Sequence, residues 1–454
     1  MAGDNEHSRS APRRQLTLVD STAIIVGIII GSGVYKTAPM IAAAVPGPAA
    51  LLLVWLAGGA FALIGSLCYA ELATAMPHEG GDYVYLTRAY GRPVGFLFAW
   101  CELWMIRSGA IGSMAFVFAD YFHKAFGDIL PLGRDAPLVY AGGAVTILTA
   151  VNVLGVTMGK WTQNILTLAK VLGLLAVVGV GFLYSAPAAT AKAPAEINWG
   201  VAMIMILYAY GGWNDMAYVG AEVRDPEKNI VRALLLGTVV VTLVYVLVNA
   251  AFVHALGMDG VREAKAVAAD VVQLAWGDVG ERAVSLLVAV SALGAINGMI
   301  FTGARIYYAL GSEHRMFRPL GIWNARCDTP LWSILTQGGV ALGLVVAFAT
   351  NVDGKPSGGF EKMVNVSFPP FWLFLLLVGV AVFRLRAREP KLNRPFRVPG
   401  YPLTPLLFCG GAAYMLWASV SHAYAHWSRE GFWAIGVIAV GLAAAWCDQR
   451  TKPT

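Results

Sequence analysis

At 454 residues, 57% hydrophobic and only 13% charged, with a mean hydropathy of +0.63, the chain falls far below the quarter or so of charged residues in a soluble domain. This composition excludes a soluble globular protein and reads as an all-α integral membrane protein. The net charge of +6 gathers in short segments between apolar runs, which marks topology and gives no nucleic-acid patch.

A helix needs roughly 20 residues to cross about 30 Å of hydrocarbon. Runs of that length predict twelve spans, at roughly 17–44, 48–76, 94–122, 137–156, 160–186, 199–221, 232–257, 281–311, 331–350, 363–385, 402–424 and 431–447. The chain then divides into a tail (1–16), one polytopic unit (17–447) and a second tail (448–454). No cleavable signal peptide is expected, because the first sixteen residues are polar and no small-residue cleavage pattern follows a short apolar core. Lys and Arg are more than twice as abundant on the side of the N-terminus, most densely in RLRAREPKLNRPFR (Arg384 to Arg397). Both termini are therefore expected in the cytoplasm, with the lipid bilayer of the plasma (inner) membrane as the surrounding partner.

Span 1 contains GIIIGSGVYK, Gly27 to Lys36, broken at Gly31, Ser32 and Gly33; span 6 contains AYGGWN, broken at Gly211 and Gly212. Irregular backbone at membrane depth is tolerated only where protein or a water-filled cavity surrounds it. Breaks in spans 1 and 6 are the relation expected of two inverted five-span repeats, about 17–186 and 199–385, each opening with a discontinuous helix, followed by extra helices at 402–447. The alternative for span 1 alone is a GxxxG packing face, Gly27 with Gly31. A half-helix that starts at a break offers free N–H groups to a carboxylate, and one that ends there offers carbonyls to an ammonium. Two such breaks face to face suit a zwitterion, and an α-amino acid is the simplest one.

Span 3 carries Glu102 and Arg107, five apart and so about 140° around an α-helix; they are not expected to share a face, each needs a partner elsewhere, and a structural role is expected. Span 5 places Lys170 roughly 15 Å deep, too far to snorkel, so it should contact carbonyls or a carboxylate where a coupling cation would otherwise bind. Glu71 and Arg305 lie near span ends and read as gating or loop-fixing residues. Asp215, just past the span 6 break, either caps the new half-helix, faces the substrate or carries a proton. Trp213 and Tyr208 adjoin the break. Five scattered cysteines and seven dispersed histidines imply no disulfide framework and no metal site. No phosphate-binding loop and no nucleophile with a base are present, so neither an ATP-driven pump nor an enzyme is indicated, and no cofactor is implied.

Together GIIIGSGVY, CYAELATAMPHEGGDYVYLTRAYG, WCELWMIRS, AYGGWN and SALGAINGMIFTGARIYYALG resemble the L-type amino acid transporter family, within the amino acid, polyamine and organocation superfamily. The likeness runs from about Leu16 to RPFRVPGYP, Arg394 to Pro402. It implies ten helices in two inverted repeats plus two more, working by alternating access. It also implies that Gly31, Ser32 and Gly33 hold the substrate carboxylate and that carbonyls around Ile28, Ile29, Tyr208 and Ala209 hold the amino group. Tyr208 would close over the substrate, Gly211 and Asn214 would line the side-chain pocket, and Lys170 would replace sodium. Three features depart from the family. The loop His123 to Pro137 has no cysteine, so no disulfide-linked heavy subunit is expected. Asp215 stands where an apolar or aromatic residue is usual, and Pro369 and Pro370 interrupt span 10, where Phe368 or Trp372 is the pocket candidate.

The expectation is a sodium-independent secondary transporter exchanging α-amino acids, small or neutral L-amino acids first. Alternatives are a proton-coupled importer or a cationic amino acid or polyamine antiporter, motivated by Asp215, although polyamines lack the carboxylate the breaks would bind. A non-transporting amino acid receptor is disfavoured by the short tails.

Overall fold

A computed structural model describes residues 12–127, 136–185, 197–349, 359–425 and 429–450, and within them every extended regular element is a helix. The cysteine-free loop after span 3 lies mostly outside the described residues.

Nine helices among the described residues are long and apolar enough to cross a membrane, and they coincide with spans 2 to 5 and 7 to 11. Span 1 is a bent pair, Leu18–Ile29 and Gly33–Ala44, turned by 49° at its break. Span 6 is split into an α-helix, Trp199–Ala209, and a 3₁₀ stretch, Trp213–Glu222. Span 12 forms Arg429–Arg450, whose apolar part is Phe432–Asp448. The result is an all-α membrane bundle with discontinuous helices 1 and 6.

Local chemistry explains where span 1 starts and stops. Thr17 and Asp20 form a reciprocal capping box: the Asp20 N–H donates to Thr17 Oγ1 at 3.2 Å, and the Thr17 N–H to Asp20 Oδ2 at 2.9 Å. The Asp20 carboxylate also accepts from Asn164 at 2.7 Å, which ties the start of span 1 to span 5. After Ile29 the backbone leaves the helix; it resumes with the Lys36 N–H donating to Ser32 O at 3.1 Å, and the Thr37 hydroxyl donates to the Gly33 carbonyl at 3.0 Å.

The face on which span 1 begins, called the N-side below, is packed shut among the described residues. The N–H of Leu16 donates to Glu222 O and that of Arg224 to Leu16 O, each at 2.9 Å, pinning the chain entry to the end of span 6. Arg305 of span 8 grips the Glu222 carboxylate at 2.6 and 3.1 Å with both side chains fully buried. Glu71 binds Arg386 at 2.8 and 2.5 Å and accepts the Val398 N–H at 2.7 Å, fastening span 2 to the segment after span 10. Glu71 and Arg305 thus fix segments together, as the sequence suggested. Between them the turn at Gly80 and Gly81, with φ of +88° and +41°, wedges against spans 6 and 8; a Cβ on Gly81 would sit 2.8 Å from the Ala217 carbonyl carbon. Only glycine fits a left-handed backbone this close to another chain segment.

Candidate functional site

The two broken spans face one another. Ile29 O at the end of the first half of span 1 and Ala209 O at the end of the first half of span 6 both lie within reach of one hydroxyl, that of Tyr245 on span 7, at 2.9 and 3.3 Å. Sequence reasoning passed over Tyr245, which sits in an apolar run with nothing to distinguish it. The Tyr208 carbonyl receives the Gly211 N–H at 3.2 Å. Three of the four residues expected to bind an amino group therefore have carbonyls already engaged within the protein, each with a second lone pair remaining.

Lys170 is fully buried and donates to three carbonyls: Gly27 O at 2.7 Å, Ile30 O at 2.8 Å and Ser291 O at 2.9 Å. Of the two partner types expected, carbonyls are the ones found. The ammonium ties span 5 to the unwound part of span 1 and to span 8.

A cavity of about 170 Å³ opens between the breaks. A single water needs only about 10–15 Å³ on that measure, so the space suits a small organic molecule. Ile28, Ile29, Gly31, Ser32, Gly33, Tyr208, Ala209, Gly211, Asn214 and Asp215 all line it, so every predicted contact except Lys170 reaches one space. Phe368 and Trp372 line it too, with the Phe368 ring 5.4 Å from that of Tyr208. Both prolines of span 10 are accommodated within one helix, Gly359–Arg388. Trp213 points elsewhere, edge-on to Tyr69 at 5.0 Å. The Ser32 hydroxyl donates to Met114 Sδ at 3.9 Å, a long and weak contact.

The glycines divide by role. A Cβ on Gly27 would meet Gln163 Nε2 at 2.0 Å and Thr167 Oγ1 at 2.4 Å, so Gly27 is a packing contact with span 5. A Cβ on Gly31 meets nothing nearer than Met114 Sδ at 3.4 Å and would project along the cavity wall. A Cβ on Gly33 would instead press on Ala209 Cα at 3.1 Å. Gly33 thus keeps the two broken spans close together, and Gly31, more than Gly33, guards the open space.

Span 3 corrects a second expectation. Glu102–Ile106 is a π-helical turn, in which residues five apart come into register, and Arg107 Nε donates to Glu102 Oε2 at 3.1 Å. The 140° separation held only for regular α geometry. Nor is the pair remote from the site, because both residues line the cavity. Arg107 also grips Asp215 with both terminal nitrogens, Nη1 to Oδ2 and Nη2 to Oδ1, the latter at 3.1 Å, and Thr302 donates to Asp215 Oδ2 at 2.8 Å. Asp215 caps nothing; its carboxylate neutralises Arg107. Asn214 donates to the Tyr218 hydroxyl at 3.1 Å, which in turn donates to Asp82 Oδ2 at 3.0 Å. Among the described residues no group of three or more His, Cys, Asp or Glu is placed to hold a metal ion.

A helical bundle whose first and sixth spans unwind opposite one another around a shared cavity is a membrane transporter of the discontinuous-helix class, and its chemistry is binding rather than catalysis. The chain belongs to the amino acid permease family, whose model matches residues 16–442. It is similar to the human b(0,+)-type amino acid transporter 1, with 30% identity over 412 residues, 87% of this chain and 80% of the relative. It is likewise similar to the serine/threonine exchanger of Bacillus subtilis (strain 168), 28% over 413 residues (89% and 90%), and to the mouse Asc-type amino acid transporter 1, 29% over 422 residues (90% and 77%).

Proposed function

We propose that this chain exchanges α-amino acids, small and neutral ones first, across the membrane by alternating access and without sodium. The observation that carries this reading is the Lys170 ammonium bound to the Gly27 and Ile30 carbonyls at the span 1 break and to Ser291 O of span 8, where a coupling cation would need oxygen ligands. The carboxylate of the substrate is assigned to the N–H groups opening the helix at Gly33, with the Ser32 hydroxyl beside them, and the ammonium to the free lone pairs of Ile28, Ile29 and Ala209 carbonyls. Tyr208 and Phe368 close the space above the side chain, and Gly211 leaves room beneath it. The names of the relatives support amino acid substrates, and that of the serine/threonine exchanger supports exchange.

A cationic preference draws on Asp215, but that carboxylate is committed to Arg107 and Thr302, which favours neutral side chains. The N-side is assigned to the cytoplasm of the plasma (inner) membrane on its Lys and Arg excess, and the chain is assigned transport without a covalent partner. One experiment tests these assignments: proteoliposomes holding only this chain, loaded with unlabelled serine, should take up labelled alanine faster than empty ones, equally in sodium and choline. Equal uptake into loaded and empty vesicles would defeat exchange, and a choline-dependent loss would defeat sodium independence.

A further inference from the structure

Asp82 opens the short helix Asp82–Tyr90 between spans 2 and 3, beneath the cavity on the N-side. It is 3% exposed, and its surroundings are unusual for a carboxylate. One oxygen, Oδ2, accepts from Tyr69 of span 2 at 2.9 Å and from Tyr218 of span 6 at 3.0 Å. The other, Oδ1, is buried without any partner, and no salt bridge to Asp82 forms among the described residues.

The charged groups facing this turn are otherwise occupied. Arg107 of span 3 lies over the Tyr218 ring, 5.1 Å from its centroid, but spends its nitrogens on Glu102 and Asp215. Arg305 of span 8 is held by Glu222, and Arg386 of span 10 by Glu71. On the short helix itself, Tyr85 has a buried hydroxyl without a partner, and Arg88 is bound to Glu389. The nearest other charges acting on Asp82 are thus two more carboxylates, Glu102 and Asp215, which already hold Arg107. A bare anionic oxygen in such a place costs more than two phenol hydrogen bonds return, and protonation is the available remedy.

We propose that Asp82 is a proton-binding site separate from the substrate cavity, filled while the N-side is packed shut and emptied when that side opens to water. Burial pushes its carboxyl up to about 8; the Tyr69 and Tyr218 hydrogen bonds pull it back in part, and the Glu102 and Asp215 charges raise it again. A hydrated Asp titrates near 3.9. The closed state therefore holds one more proton than the open state between those values. Its advantage is complete at low pH, is lost as pH rises from about 4 to about 8, and is absent above. The bonded series Asn214, Tyr218, Asp82 and Tyr69 links the cavity wall to this site, so the proton and the substrate bias the same closure.

This inference rests on the alternating-access reading, and its test has a readout that needs no transport. Infrared difference spectra of the purified protein between about pH 6 and about pH 9 should show loss of a carboxylic acid carbonyl band with a midpoint near 8, and Asp82→Asn should abolish it. Tyr69→Phe, which removes one donor from the carboxylate, should move the midpoint to higher pH, and it serves if Asp82→Asn does not fold. In vesicles, the pH dependence of exchange should flatten in Asp82→Asn, whereas a purely structural role would lower the rate equally at every pH. A band that persists in Asp82→Asn, or one that disappears in Glu102→Gln instead, overturns the proposal. Normal spectra with no amino acid flux would instead count against the transport reading alone.

Discussion

Arg107 and Asp215 hold one another at the boundary between the cavity and the packed N-side, two guanidinium nitrogens against two carboxylate oxygens. They come from spans 3 and 6, 108 residues apart in sequence. Thr302 and Glu102 complete the set from span 8 and from the π turn of span 3. A buried pair of this sort adds little net stability over a well-packed apolar pair, yet removing one member strands a charge in a low-dielectric interior.

Asp215→Ala should therefore cost about 3–5 kcal/mol, because Arg107 would keep only Glu102. The double variant Arg107→Met with Asp215→Ala should cost less than the sum of the two single changes, since the paired charges leave together, although Glu102 then loses its cation. Thermal unfolding of the detergent-purified variants, read as a double-mutant cycle, checks this. Strictly additive losses would show that the two residues do not act as a pair.

The difference between what could be read in the sequence and what could not follows from periodicity. Glycines cut visibly into an apolar run, so the breaks at Gly31 to Gly33 and at Gly211 and Gly212 stand out, as does one lysine amid aliphatics at Lys170. The contact between Glu102 and Arg107 was hidden because angular reasoning assumes 3.6 residues per turn, and the π turn at Glu102–Ile106 breaks that assumption. Tyr245 was hidden for a different reason. It sits mid-span in an apolar run with no break or charge beside it, and only the folded structure shows it bridging the two breaks. Likewise nothing in PHEGGDY tells that Asp82 meets two phenols from other spans.

Lys170→Ala should lower exchange at least about tenfold, equivalent to about 1.4 kcal/mol, a modest part of three charge-assisted hydrogen bonds. The carbonyls of Gly27, Ile30 and Ser291 would be left facing one another, and the unwound segment would lose the strut that fixes its shape. Initial exchange rates in vesicles with matched protein content check this. An undiminished rate would remove Lys170 from the mechanism.

Tyr245→Phe keeps the ring packed against Trp55, centroids 5.2 Å apart, and deletes only the hydroxyl. Thermal stability should fall by about 1 kcal/mol, the net worth of an ordinary hydrogen bond. Exchange should fall more steeply than that if the proposed ammonium site is right, because the lost group bridges the Ile29 and Ala209 carbonyls assigned to it. A loss of stability with unchanged apparent affinity for alanine would make Tyr245 a packing residue only.

The three glycines of span 1 give the sharpest separation between packing and binding. Gly27→Val must displace Gln163 and Thr167, whose side-chain atoms lie within 2.4 Å of the new Cβ, so it should chiefly destabilise the fold by about 1–3 kcal/mol, the range for overpacking. Gly31→Val has room for its Cβ, and its methyls would occupy cavity space, so folding should survive while substrate binding is lost. Gly33→Val falls between, since a Cβ 3.1 Å from the Ala209 backbone forces the broken spans apart and should reduce both. Binding by substrate-induced thermal stabilisation, set beside the unfolding temperature of each variant without substrate, distinguishes the three. If Gly31→Val bound alanine as well as the wild type does, the substrate would have to lie elsewhere in the cavity, and the assignment of its carboxylate to this break would fail.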